Sequence, residues 1–161
     1  MLPLNDDKWK QITTFFGESE HLPSVIQEWL ESIGTDREET IYREDLFDLF
    51  LHQATITTAA FAVVPWLVHV CQEGVTAFQI EYLTDIALVE ANRLKYGVHY
   101  NRQGTDEYPE WLMSDYQEAI REARDLVDDV LQAEPDENRK HGLVAMKSAL
   151  FGDADLAWSQ W

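Results

Sequence analysis

The sequence predicts an all-α fold of about seven helices in antiparallel pairs, and three observations carry that prediction. Apolar residues recur at three- and four-residue spacing along nearly the whole chain. Runs that alternate apolar and polar residues, the mark of a half-buried strand, are almost absent. Most glycines and prolines fall where one helical pattern stops or the next begins. At 161 residues, with 45% hydrophobic content, the chain can bury one core, so a single helical domain over 1–161 is expected.

The elements follow in order. "NDDKWKQITTFFG" predicts a first helix capped by Asn5 or Asp6, with Trp9, Ile12 and Phe16 on one stripe and Gly17 as its left-handed stop. "LPSVIQEWLESIG" places Pro23 in a first turn and Val25, Ile26, Trp29, Leu30 and Ile33 on one face, with Gly34 closing it. A third helix is expected from Glu38 through Gln53, and a fourth from Thr57 or Thr58 to Gly74. A fifth, capped by Thr76 and stopped by Gly97, has apolar residues too widely spread for one stripe and should touch neighbours on two sides. After a polar, aromatic loop, the sixth and longest helix starts at Pro109 and ends before Pro135. The seventh runs from Asp136 to Phe151, and "DADLAWSQW" adds a last turn.

Charge narrows the function. Thirty acidic against twelve basic residues give −18, which leaves no counter-charge for nucleic acid or an anionic membrane and favours a basic protein partner. The lone cysteine, Cys71, excludes an internal disulfide, and its apolar helical setting predicts a buried structural thiol. "MLPLNDDKWK" lacks the basic-then-apolar pattern of a secretory signal, and Pro65, His52 and the threonines make Leu49 to Gln72 a poor membrane span. The expected setting is cytoplasmic.

Motifs for chemistry are missing. No His-Glu-x-x-His pattern accompanies the five histidines, so no metal site is assigned. There is neither a Gly-x-Ser-x-Gly elbow nor a glycine-rich phosphate loop. The chain is therefore expected to be non-enzymatic, with no catalytic residues and no cofactor. The alternatives are a helical-bundle enzyme or metal-binding protein using buried acids with His52 or His69, and an adaptor subunit.

A partner surface is easier to place. The loop and helix start "HYNRQGTDEYPEWLMSDY" combine aromatic anchors with acids, the residue types that meet a basic partner. Asp106, Glu107, Tyr108, Glu110 and Asp115 are assigned to contact, whereas Trp111 and Tyr116 read as core. Residues 106–161 hold 14 acids against 5 bases, and "DLVDDV" adds Asp125, Asp128 and Asp129 to the expected contact.

The stretch "LFDLFLHQATITTAAFAVVPWLVHV" reads as a joint between helices rather than an active site. Thr55, Thr57 and Thr58 can cap the fourth helix, Ala59 and Ala60 permit close packing, Pro65 bends the helix, and His52 with Gln53 can bond the last carbonyls of the third. These residues also carry a likeness. Leu46, His52, Gln53, Thr55, Ala59, Ala60, Val64, Pro65 and Leu67 resemble the signature of small bacterial HEAT-like (armadillo-type) helical repeat proteins, and "DYQEAIREARDLVDDVL" and "LVAMKSALFGDADLA" are similar to that group's later helices. Ala54 stands where the group usually has glycine, and Thr57 where it has an aromatic residue. The resemblance implies a short HEAT-like solenoid, with an irregular helical bundle as the alternative. It also implies a binding role, such as an immunity protein that neutralises a toxin domain.

Overall fold

The computed structural model describes residues 1–52, 55–97 and 108–160. Within them the chain is all-α with two minimal hairpins. The first departs from the helix expected at the start. Asp6 does cap a helical turn, its carboxylate accepting the Lys8 amide at 2.9 Å, but that turn is a short 3-10 helix, Asp7–Gln11. Then β1 (Thr13–Thr14) pairs antiparallel with β2 (Gly17–Glu18). Thr13 and Thr14 are β-branched and favour the extended backbone. The Ser19 hydroxyl faces the carbonyls of Trp9 at 2.6 Å and Ile12 at 2.9 Å, where a continuing helix would have placed backbone amides. Gly17 thus serves the hairpin at φ +116°, not a helix end. Trp9 and Ile12 are buried as expected, but Phe16 is 64% exposed.

Helix α1 (Leu22–Ser32) starts on Pro23 and buries Leu22, Ile26 and Trp29. The next helical run passes from α2 (Glu38–Thr40) through a π-helical stretch (Ile41–Leu46) into α3 (Phe47–Phe50). It ends three residues before Gln53, because Leu51 turns extended. There β3 (Leu51–His52) pairs with β4 (Thr55–Ile56), Leu51 opposite Ile56 and His52 opposite Thr55.

So the stretch is a joint, but a hairpin makes it, and two capping assignments change. Thr57 occupies the N-cap position of α4 (Thr58–Glu73) without a side-chain cap bond, and its hydroxyl is buried and unpartnered. The Thr58 hydroxyl accepts the Thr13 amide at 2.8 Å, tying the N-terminal hairpin to the start of α4. Among the described residues His52 bonds no helix-end carbonyl. Its ring lies 4.3 Å from that of Phe15, and its Nδ1 is 3.3 Å from Asp48 Oδ1. Gln53 and Ala54 lie outside the described residues.

Helix α4 is buried nearly all round, as the central helix must be. It runs on through Pro65 and stops at Gly74, whose φ of +64° is the left-handed conformation glycine adopts without strain. Helix α5 (Gln79–Tyr96) packs on α4 on one side and on α7 and α8 on another, matching its wide apolar surface. Thr76 stands before α5 and accepts the Phe78 amide at 2.9 Å. Helix α6 (Glu110–Ala133) is one-sided, burying Leu112, Tyr116, Ala119, Ile120, Ala123 and Val127 against α4 and α7. Asp136 caps α7 (Glu137–Leu150) by accepting the Asn138 amide at 2.8 Å, and α8 (Ala154–Gln160) is the expected last turn. Helices two apart in sequence therefore lie side by side, α6 on α4 and α7 on α5. One apolar cluster runs from Leu2 to Ala157.

Candidate functional site

Among the described residues three carboxylates are buried, and each is held by a tyrosine from a distant part of the chain. Glu38, in the first turn of its helix, accepts the Gly34 amide at 2.7 Å and the Tyr82 hydroxyl at 2.8 Å, and the Thr76 hydroxyl as well. Tyr82 in turn accepts the Trp29 indole N–H at 3.1 Å. Asp85 Oδ2 accepts Tyr42 at 2.7 Å and Arg43 at 3.0 Å. Glu90 takes two bonds from Arg93, at 2.6 and 2.8 Å, and one from Tyr116 at 2.7 Å.

The physics of these groups is structural. Burial pushes the Tyr42, Tyr82 and Tyr116 phenols above their ordinary range, so they stay protonated and donate. Burial also pushes the Asp85 carboxyl from 3.8 up to about 6, against the lowering effect of Tyr42 and Arg43. A buried carboxylate is tolerable when its lone pairs are filled, and here donors fill them. The Cys71 thiol is pushed up to about 12 by burial, which keeps it protonated and inert as a nucleophile. Among the described residues no three His, Cys, Asp or Glu side chains gather where they could hold a metal ion. Nor is any helix there long and apolar enough to cross a membrane.

The residues assigned to partner contact divide into groups. Asp106 and Glu107 lie outside the described residues, as does most of their loop. Tyr108 is half-buried and packs edge-on against Phe61, ring centroids 5.3 Å apart, beside Tyr116 in the core. Trp111 is half-buried with the Lys8 ammonium 5.0 Å above its ring. Asp115 pairs with the Met1 amine at 3.1 Å, and Asp128 with Lys147 at 2.6 Å. Glu110, Asp125 and Asp129 are exposed. Helical geometry puts them, with Glu118 and Glu122, on the side of α6 opposite Tyr116, Ala123 and Val127.

Sequence reasoning missed the buried acids. Asp85 and Glu90 sit inside the apolar pattern of α5, flanked by Ile86, Val89 and Ala91, and that position was the available signal. It also missed a cleft of about 480 Å³ between α5 and α6, lined by Glu90, Arg93, Tyr116, Gln117, Arg121 and Arg124.

No protein-family model, no curated protein and no solved structure matches this chain. The fold and the surface chemistry therefore carry the functional reading.

Proposed function

We propose that this chain is a non-enzymatic, cytoplasmic protein-binding module of HEAT-like, short-solenoid type, and that the acidic outer face of α6 docks a basic protein domain. An immunity protein neutralising a basic toxin is the role that fits this chemistry. The observation that carries the reading is the set of exposed acids along one side of α6: Glu110, Glu118, Asp125 and Asp129, with half-buried Glu122 among them. Of these, Glu118 has an ion pair within the described residues, to an Arg121 that is itself 63% exposed. Exposed pairs of that kind are weak, so the face remains negative. A rigid helix with a row of carboxylates meets lysines and arginines at low ordering cost, because only the rim side chains must be fixed.

The buried carboxylates support the same reading. Glu38 and Asp85 spend their lone pairs on Tyr82, Thr76, Tyr42 and Arg43, which ties α2 and the π-helical stretch to α5. They make a stiff scaffold for a contact surface.

The test is a charge reversal. Against the product of the adjacent gene, Glu110→Lys, Asp125→Lys and Asp129→Lys combined should weaken binding by about 100-fold, as removal of several charge contacts does. Isothermal titration calorimetry measures it. An unchanged dissociation constant would show that the acidic face is not the contact.

A further inference from the structure

The cleft between α5 and α6 has the opposite character from the rest of the surface. The whole chain has 12 basic residues against 30 acidic ones. Yet Arg93, Arg121 and Arg124 all line this one cleft. Beside them stand Tyr116, Gln117 and a single carboxylate, Glu90.

Each arginine has a structural task, and capacity remains after it. Arg93 grips Glu90 with two bonds, so those two charges cancel. Arg124 donates its Nε to the Leu150 carbonyl at 2.8 Å and stacks 5.1 Å from the Phe151 ring. Both anchors fix its guanidinium plane, while its two terminal nitrogens make no hydrogen bond among the described residues. Arg121 pairs with Glu118, but both side chains are more than 60% exposed, at 63% and 61%, so an incoming anion can displace that pair. Arg121 and Arg124 thus leave the cleft with positive charge near that which a phosphate dianion neutralises. Guanidinium groups favour phosphate because their paired N–H donors match two oxygens at once. A volume of about 480 Å³ holds a phosphate together with a small organic group.

We propose that this cleft binds a small phosphate-bearing ligand, with Arg124 as the pre-oriented bidentate contact and Arg121 as the mobile one. The proposal needs no basic protein partner, although Arg121 is shared with the acidic face through its pair with Glu118.

The test titrates the full chain with inorganic phosphate, pyrophosphate and citrate at constant ionic strength set with sodium chloride, followed by amide and arginine side-chain NMR shifts. Phosphate or pyrophosphate should saturate shifts at Arg93, Gln117, Arg121 and Arg124 with a dissociation constant of about 1 mM or tighter. Arg124→Lys keeps the charge and loses the fork, and should weaken binding about ten-fold. Arg121→Gln alters an exposed side chain, leaves the fold intact, and should also weaken it several-fold. Arg139→Gln, outside the cleft, should change nothing. Shifts that fail to saturate, equal weakening by Arg139→Gln, or tighter binding of citrate than of either phosphate would each overturn the proposal.

Discussion

Asp85 shows how a single residue sets a measurable property of the protein. Its carboxyl is 4% exposed, accepts Tyr42 and Arg43, and holds its proton up to about pH 6 because burial outweighs both partners. An aspartate in the unfolded chain loses its proton near pH 4. The folded state therefore binds the extra proton between those values, and stability falls as pH rises from about 4 to 6, then levels off. The two-unit gap corresponds to about 2–3 kcal/mol. Asp85→Asn keeps an oxygen for Tyr42 and removes the titration. Urea unfolding of both proteins at pH 4.5 and pH 7 should show the wild type losing more stability than the variant by about that amount, and parallel losses would refute the assignment. None of this was legible beforehand. The partners lie 43 residues apart at Tyr42, and an acid of the core is written with the same letter as an acid of the surface.

At the scale of elements, legibility followed length. Helices α1, α4, α5, α6 and α7 each repeat an apolar face over several turns, and Pro23, Pro109, Gly74 and Gly97 mark their ends. The hairpins have strands of two residues, too short for any alternation to register. Thr55 in the second hairpin, and Thr57 and Thr58 just after it, resembled helix caps because a cap and an extended residue draw on the same side chains. What distinguishes them is tertiary: Thr58 spends its hydroxyl on Thr13, 45 positions earlier. Thr58→Val keeps the shape and removes that acceptor, leaving the buried Thr13 amide unpaired. The expected cost is about 1–3 kcal/mol, with faster amide exchange confined to Thr13 through Glu18. Chemical denaturation and hydrogen exchange measure the two effects, and exchange accelerated uniformly over the whole chain would contradict the local tie.

For the whole molecule, the contrast lies between an inside held by satisfied carboxylates and an outer side of α6 where Glu110, Asp125 and Asp129 have no ion pair among the described residues. Glu38, Asp85 and Glu90 lock helices together. Glu110, Asp125 and Asp129 face solvent from one side of α6, in a chain of net charge −18. The sequence announced the charge and the helix that carries much of it. It could not show that Tyr108 would pack on Phe61, or that Asp115 and Asp128 would find cations within the chain. Those pairings depend on residues brought together by folding, and they shift the expected contact toward Glu110, Asp125 and Asp129. The most direct measurement of this account is the association rate with the adjacent gene's product as a function of salt. If the acidic face steers a basic partner, raising sodium chloride from about 50 to 500 mM should slow association at least ten-fold while dissociation changes little, because screening acts on encounter. An association rate that does not respond to salt would contradict the electrostatic docking proposed for α6.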